Sequence, residues 1–209
     1  MTTQTIPPWK TTKISRHPRL MLLFILALFI MPVAAAWSVF NLKLWPEHQV
    51  NLGTLIKPAV SIGNISFVED NGKILDTNTM RKKWWLVYAT ESECNDECQR
   101  ILTLIRQINI ALGKDSDRVQ RLLISTTQFD KNTNEQLKAR FPDLHRTITE
   151  PNLIKNLLEK ALRTPNVLQQ HNVYIIDPLG NLMMVYPEKL VGKPIIKDLT
   201  RLLKYSQVG

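Results

Sequence analysis

The chain begins with one long apolar segment. Residues 20–40 contain no charged side chain, and Pro32 is the one proline in that run. At about 1.5 Å of rise per residue, a helix of this length crosses the roughly 30 Å hydrocarbon core of a bilayer. Membrane helices tolerate proline. The pattern therefore predicts a transmembrane helix over residues 20–40.

After this segment, short strand patterns alternate with helical ones. β-Branched residues around a turn signal at Asn71-Gly72 predict a leading hairpin over residues 58–75. Residues 83–89, KWWLVYA, form a continuous apolar run that is typical of a buried strand. Apolar residues at helical spacing then predict a helix over residues 96–112.

The second half of the chain continues the alternation. Strands are predicted over residues 119–125, 144–148, 171–177 and 181–186. Helices are predicted over residues 134–140, 151–162 and 195–205. This order predicts an α/β fold with a mixed sheet flanked by helices.

These elements divide the chain into four parts. We expect a basic leader over residues 1–19, the transmembrane helix over 20–40, a linker over 41–52 and one folded domain over 53–209. The leader contains four basic residues and no acidic one. The positive-inside rule then predicts a single-pass protein of the inner (cytoplasmic) membrane, with its N-terminus in the cytoplasm and the domain in the periplasm.

A cleaved signal peptide is the alternative for the apolar segment. Residues 20–30 would form its hydrophobic core and Ala34–Ala36 its cleavage site. The apolar character continues as far as Phe40, which favours a retained anchor. Both interpretations place the folded domain outside the cytoplasm.

The net charge of +9 does not indicate a nucleic-acid partner. Four of the 27 basic residues belong to the leader, and the exported part retains a charge of +5. No basic repeat is interleaved with aromatic residues, as binding to nucleic acid would favour. The sequence therefore predicts contact with a membrane and no binding of nucleic acid.

Cys94 and Cys98 are the chain's two cysteines, and they lie at the junction of the predicted strand 83–89 and helix 96–112. Outside the cytoplasm a dithiol oxidises unless a reductant or a metal acts on it. Structural disulfides stabilise most when they close long loops, so this short spacing favours chemistry. A dithiol at a strand-to-helix junction is typical of thioredoxin-like proteins.

The position of Cys94 decides which states the pair can reach. On one regular helical turn the two Cβ atoms would lie about 5–6 Å apart, wider than the roughly 3.5–4.5 Å of a disulfide. A bound metal ion fits that wider gap. If Cys94 lies in the preceding loop, both the disulfide and the metal-bound state are reachable.

Four carboxylates surround the cysteines: Glu91, Glu93, Asp96 and Glu97. Negative charges disfavour thiolate formation and attract cations, and thiolates are soft ligands that select Cu(I). The surround therefore favours metal capture over attack by a thiol. An ordinary solvated helix start with acids in its first turn is the alternative.

The order of the motifs resembles the Sco family of membrane-anchored, thioredoxin-fold copper chaperones for cytochrome c oxidase. An N-terminal anchor precedes an apolar strand that leads into C-x-x-x-C, followed by STTQFDKNTNEQLKARF and YIIDPLGNL. The similarity spans about residues 50–205. It implies a thioredoxin-like fold, Cu(I) bound by Cys94 and Cys98, and a copper-receiving oxidase subunit as the partner.

Two positions depart from the family pattern. Gln99 stands where the family has proline, and Gln169 stands where the family has its copper-binding histidine. His171, two residues further along the predicted strand, would point to the same side and is the candidate third ligand. An unrelated histidine at the strand edge is the alternative.

Three hypotheses follow. The first is a copper-binding assembly factor for a respiratory oxidase, which is a metallochaperone rather than an enzyme. The second is a thiol-disulfide oxidoreductase in which Cys94 and Cys98 form the redox pair and reduce the cysteines of a partner's copper site. The third is a scaffold whose dithiol is vestigial.

Overall fold

The computed structural model describes residues 17–42, 51–63, 65–91 and 93–206. The helices are α1 (Pro18–Asn41), α2 (Thr77–Met80), α3 (Asp96–Ala111), α4 (Lys131–Arg140), α5 (Pro151–Leu162) and α6 (Lys193–Tyr205). The strands are β1 (Thr54–Ser61), β2 (Phe67–Glu69), β3 (Ile74–Leu75), β4 (Trp84–Thr90), β5 (Val119–Ser125), β6 (Leu144–Ile148), β7 (Val173–Ile176) and β8 (Asn181–Tyr186). Short 3₁₀ turns lie at Gly113–Arg118, Val167–Gln169 and Glu188–Leu190.

Helix α1 forms a unit by itself. Its 24 residues include Pro32, and none of its side chains is buried. Its best window has a mean hydropathy of 2.6, and it is the one helix among the described residues that is long and apolar enough to cross a membrane. The helix predicted over residues 20–40 is therefore present, with two more residues at its start and one more at its end.

The folded domain is built on an eight-stranded sheet of order β1-β8-β7-β4-β5-β6-β2-β3. Strands β4, β5 and β6 are parallel, whereas β7, β8 and β1 continue the sheet antiparallel on one side. Strands β2 and β3 form an antiparallel hairpin at the other edge. The predicted mixed sheet is thus confirmed.

The central strand β4 is buried along its whole length, since both faces of the sheet are covered. Trp84, Leu86 and Tyr88 pack against α3 and α6 in one core. Trp85 and Val87 face the second core, which includes buried residues of α5. Strand β4 therefore ends, at its carboxyl end, between two packed layers.

Several predicted elements differ from those observed. The turn at Asn71-Gly72 does join β2 to β3, but β1 crosses to the opposite edge and pairs with β8. Helix α4 begins at Lys131 rather than at residue 134, because the Asp130 carboxylate caps the N–H groups of residues 132 and 133. Strand β7 begins at Val173 rather than at residue 171. The predicted linker over residues 41–52 lies largely outside the described residues.

Candidate dithiol site

The two cysteines lie where β4 passes into α3. Cys94 belongs to the loop, Asn95 is the N-cap, and Cys98 lies in the first turn of the helix. The side chain of Asn95 accepts a hydrogen bond from the N–H of Cys98 at 3.1 Å. The Cα atoms of the cysteines are 5.1 Å apart and their sulfurs form a disulfide. A loop position for Cys94 thus brings the sulfurs within bonding reach, as the sequence argument required.

Both cysteines of the disulfide pack on the core, but they differ in exposure. Cys94 is 6% exposed and Cys98 is 1% exposed, and both contact the core that contains Tyr88 and Ile101. Both cysteines are therefore buried, and Cys94 is the more exposed residue of the pair.

We expect reduction of the disulfide to leave the domain folded. The bridge closes a loop of only about five residues, so its loss costs about 2 kcal/mol by loop entropy. The measurement is urea denaturation with and without a reductant, with the Cys94→Ser/Cys98→Ser double variant as a control that the reductant leaves unchanged. Loss of the cooperative transition on reduction would contradict this expectation.

Part of the acidic surround is neutralised by an arginine. The Nε of Arg100 donates to both carboxylate oxygens of Glu97 at 3.0 and 3.1 Å, and its Nη2 lies 2.5 Å from Glu188 Oε1. The hydrogen bond from Arg100 holds the pKa of the Glu97 carboxyl below its usual value. Glu97, the residue before Cys98, thus belongs to a solvent-exposed ion-pair network with Arg100 and Glu188, which an ordinary solvated helix start also accommodates, so that alternative stays open.

His171 reaches this region from a turn. It precedes β7 and has a φ of 51°, so the expectation that it lies on the strand is wrong. Its Nδ1 is 2.7 Å from the hydroxyl oxygen of Tyr88, a fully buried residue of β4. Burial raises the pKa of Tyr88, so its hydroxyl stays protonated.

The turn places His171 beside Tyr88, near the end of the strand that leads to the cysteines. Its positive charge, when present, contributes to the lowered pKa of Glu97, the residue before Cys98. Nδ1 is hydrogen-bonded to Tyr88. In the tautomer in which the N–H at Nδ1 donates to the Tyr88 oxygen, Nε2 has a lone pair for another ligand. A role for His171 as a third copper ligand stays a prediction.

The glutamines at the two positions that differ from the family pattern both form hydrogen bonds to neighbouring elements. Gln169 Nε2 donates to Glu91 Oε1 at 2.7 Å, next to the loop that carries Cys94. Gln99 Oε1 accepts from Arg140 Nη1 of α4 at 2.9 Å. The sequence contained no signal for these contacts, because their partners lie 78 and 41 positions away.

A buried carboxylate fixes the start of the domain. Asp198 of α6 is 1% exposed, and its Oδ2 accepts from the N–H groups of Leu52 and Gly53 at 2.8 and 2.9 Å. The same oxygen accepts from the hydroxyl of Tyr186 at 2.9 Å. Tyr186 belongs to the core that also contains the cysteines. Sequence reasoning missed this contact.

The metal-binding potential of the site depends on its oxidation state. Within the described residues, no group of three or more His, Cys, Asp or Glu side chains is arranged to hold a metal ion. The two sulfurs are bonded to each other, and thiolates become available as ligands after reduction. Cys94 and Cys98 therefore remain the predicted metal ligands of the reduced form.

The mixed sheet and the dithiol at its strand-to-helix junction define a thioredoxin-like protein. Residues 84–206 match the family described as transmembrane-like, thioredoxin-like, C-terminal domain, and the chain belongs to that family. No curated protein matches the sequence.

Several solved structures share the fold. Yeast Sco1 is 17% identical with a TM-score of 0.58, covering 72% of this chain and 97% of its own. BsSco, a member of the Sco family of cytochrome c oxidase assembly proteins, is 14% identical with a TM-score of 0.57, covering 75% and 96%. ScoI of Bradyrhizobium japonicum, with copper bound, is 21% identical with a TM-score of 0.51, covering 70% and 98%. The resemblance to the Sco family is thus confirmed for the fold, and the low identities agree with a divergent member.

Proposed function

We propose that this protein is a Sco-like assembly factor for a respiratory cytochrome c oxidase and carries Cu(I) on Cys94 and Cys98. The observation that carries the proposal is the placement of both sulfurs within bonding distance where β4 ends, with Cys94 in a loop. The Sco-like fold supports it, as does the copper bound to the Bradyrhizobium japonicum neighbour.

The two oxidation states have different uses in this proposal. In the reduced state the thiolates offer two soft sulfur ligands, and the loop position lets Cys94 move to admit an ion. In the oxidised state both thiolates are consumed by the disulfide. Oxidation of the dithiol and binding of copper therefore exclude each other, which couples copper release to the redox state.

His171 serves as the third ligand in this proposal. In this proposal the N–H at Nδ1 donates to the hydroxyl oxygen of Tyr88 and orients the ring, so that Nε2 carries the lone pair for copper. An imidazole added to two thiolates completes a ligand set that suits copper.

The copper-receiving partner in this proposal is a subunit of the oxidase, and the predicted domain order supports a place of action outside the cytoplasm. Helix α1 anchors the protein in the inner membrane, the basic leader stays in the cytoplasm, and the folded domain from about residue 53 works in the periplasm.

A copper titration tests this function. The full chain, reduced and kept anaerobic in a neutral detergent, is titrated with Cu(I) against a competing chelator. We expect one copper ion per chain, complete loss of binding in Cys94→Ser and in Cys98→Ser, and weaker binding in His171→Ala. His145→Ala is the matched control, because His145 pairs with Glu69 on β2 instead. A folded, reduced protein that binds no copper would contradict the proposal.

Thiol-disulfide exchange with the copper-site cysteines of a partner is the second candidate. The observation that favours it is Gln169, which stands at the position of the family's copper-binding histidine and is hydrogen-bonded to Glu91. In this case Cys94 attacks the partner's disulfide and Cys98 resolves the mixed disulfide. Absence of copper binding together with rapid reduction of a disulfide-bridged peptide would support it.

A further inference from the structure

Helix α3 presents one continuous stripe of side chains to an open groove beside α4. The stripe has the spacing of a single helix face and consists of Asp96, Gln99, Arg100, Thr103, Leu104 and Gln107. Two adjoining cavities of about 300 and 420 Å³ form the groove and share Gln99 and Arg140 as wall residues. Gln99 directly follows Cys98, so the groove begins beside the first turn of α3, whereas the Cys98 side chain faces the core.

The guanidinium of Arg140 is held in this groove by two contacts. Its Nη1 donates to Gln99 Oε1 at 2.9 Å, and its Cζ lies 5.5 Å from the centre of the Phe141 ring. The backbone oxygen of Arg140 accepts from Arg106 at 3.3 Å. The hydrogen bond to Gln99 uses one of the five N–H donors of a guanidinium, so others are available to a ligand.

The two arginines of the groove differ in charge balance. Arg100 is paired with both Glu97 and Glu188. Arg140, by contrast, forms no ion pair in the part of the chain that the structure describes. It is therefore a hydrogen-bonded positive charge in the wall of the groove, which it shares with Asp96, and its guanidinium suits a carboxylate.

The remaining walls suit an extended peptide. From Asp96 to Gln107 the stripe is about 16 Å long, which an extended strand covers with about five residues. The amides of Gln99, Gln107 and Gln136 line the groove and can both donate to and accept from a peptide backbone.

We infer that the groove between α3 and α4 binds an extended, acidic segment of the partner protein, with a carboxylate on Arg140. This inference rests on the proposed function, because the bound segment brings the partner's own cysteines to Cys94 and Cys98. Arg140 thereby determines which cysteine-containing segments the dithiol serves.

A peptide reaction tests the groove. The full-length Cys98→Ser variant in neutral detergent keeps the Cys94 thiol free. It is mixed with peptides of about seven residues in which one cysteine carries a 2-thiopyridyl group. In one peptide glutamates flank this cysteine on both sides, and in the other lysines do. The Cys94 thiolate attacks the peptide sulfur, the protein–peptide disulfide forms, and one 2-thiopyridone leaves per bond formed and is measured by its absorbance.

We expect the glutamate peptide to react about tenfold faster than the lysine peptide at low ionic strength, and salt to remove most of the difference. Arg140→Glu should abolish the preference and Arg140→Lys should retain it. The matched control is Lys160→Glu on α5, which packs on the opposite face of the sheet; it should change nothing. A faster lysine peptide, driven by Glu91 and its neighbouring acids, would overturn the inference, as would a preference that survives Arg140→Glu.

A second measurement separates the groove from the thiol chemistry. Fluorescence anisotropy of a dye-labelled glutamate peptide without cysteine reports binding alone. Binding that is lost in Arg140→Glu supports the groove even if Cys94 reacts with nothing, an outcome that would contradict only the proposed function. A reactive Cys94 together with no binding of this peptide would contradict the groove alone.

Discussion

Replacing Asp198 by alanine is expected to lower the free energy of unfolding by at least about 3 kcal/mol. Oδ2 of Asp198 accepts from the N–H groups of Leu52 and Gly53 and from the hydroxyl of Tyr186. The substitution leaves these three donors without their acceptor, and each unsatisfied buried donor costs about 1–3 kcal/mol. Urea denaturation of the full chain in detergent, followed by near-ultraviolet circular dichroism, measures the change.

Two further variants show whether the carboxylate itself is responsible. Asp198→Asn keeps one acceptor oxygen and should cost less than the alanine substitution. Asp117→Ala removes an exposed carboxylate and should change stability by no more than about 0.5 kcal/mol. Equal effects of Asp198→Ala and Asp117→Ala would show that the contact between α6 and the start of the domain contributes nothing.

The Asp198 contact also shows which parts of the fold lay beyond the sequence pattern. Strands β5 and β8 and helix α5 were predicted with their observed bounds, because each is marked by a local pattern of apolar residues in the sequence. The pairing of β1 with β8 was missed, since a strand pattern does not specify its neighbour across 120 or more positions. Asp198 meets Leu52 across 146 positions, and no local pattern records that contact.

The candidate site likewise has parts that the sequence predicted and parts that it did not. Cys94 and Cys98 were identifiable because they are the chain's two cysteines and lie four positions apart. Their positions in the loop and in the helix follow from the N-cap at Asn95. The contact between Tyr88 and His171 spans 83 positions and was not predicted. His171 was predicted to begin the strand because an apolar run follows it in the sequence. Its left-handed backbone conformation excludes it from β7, which begins at Val173.

The two glutamine contacts suggest how a chain can retain the fold while its chemistry diverges. Gln99 takes the proline position and gains a bond to α4, and Gln169 takes the histidine position and gains a bond to Glu91. Each substitution exchanges a family residue for a hydrogen-bonded contact beside the dithiol. Under the proposed function, the copper affinity of the reduced protein therefore depends on whether His171 takes the ligand role of position 169.

Restoring a histidine by Gln169→His is expected to tighten Cu(I) binding at least about tenfold, equivalent to about 1.4 kcal/mol. Gln169 bonds to Glu91, so its side chain lies against the loop that carries Cys94. An imidazole there offers a nitrogen that suits copper, which the amide it replaces does not. Competition with a Cu(I) chelator under anaerobic conditions measures the affinity.

Gln170→His is the matched control for this gain. Gln170 is also exposed, but its side chain donates to the backbone oxygen of Pro165 at 3.3 Å and so points away from Glu91. If both variants tighten binding equally, the added imidazole acts without regard to position and the expectation fails. If only Gln169→His tightens binding, and His171→Ala no longer weakens it in that background, position 169 has taken over the role of third ligand.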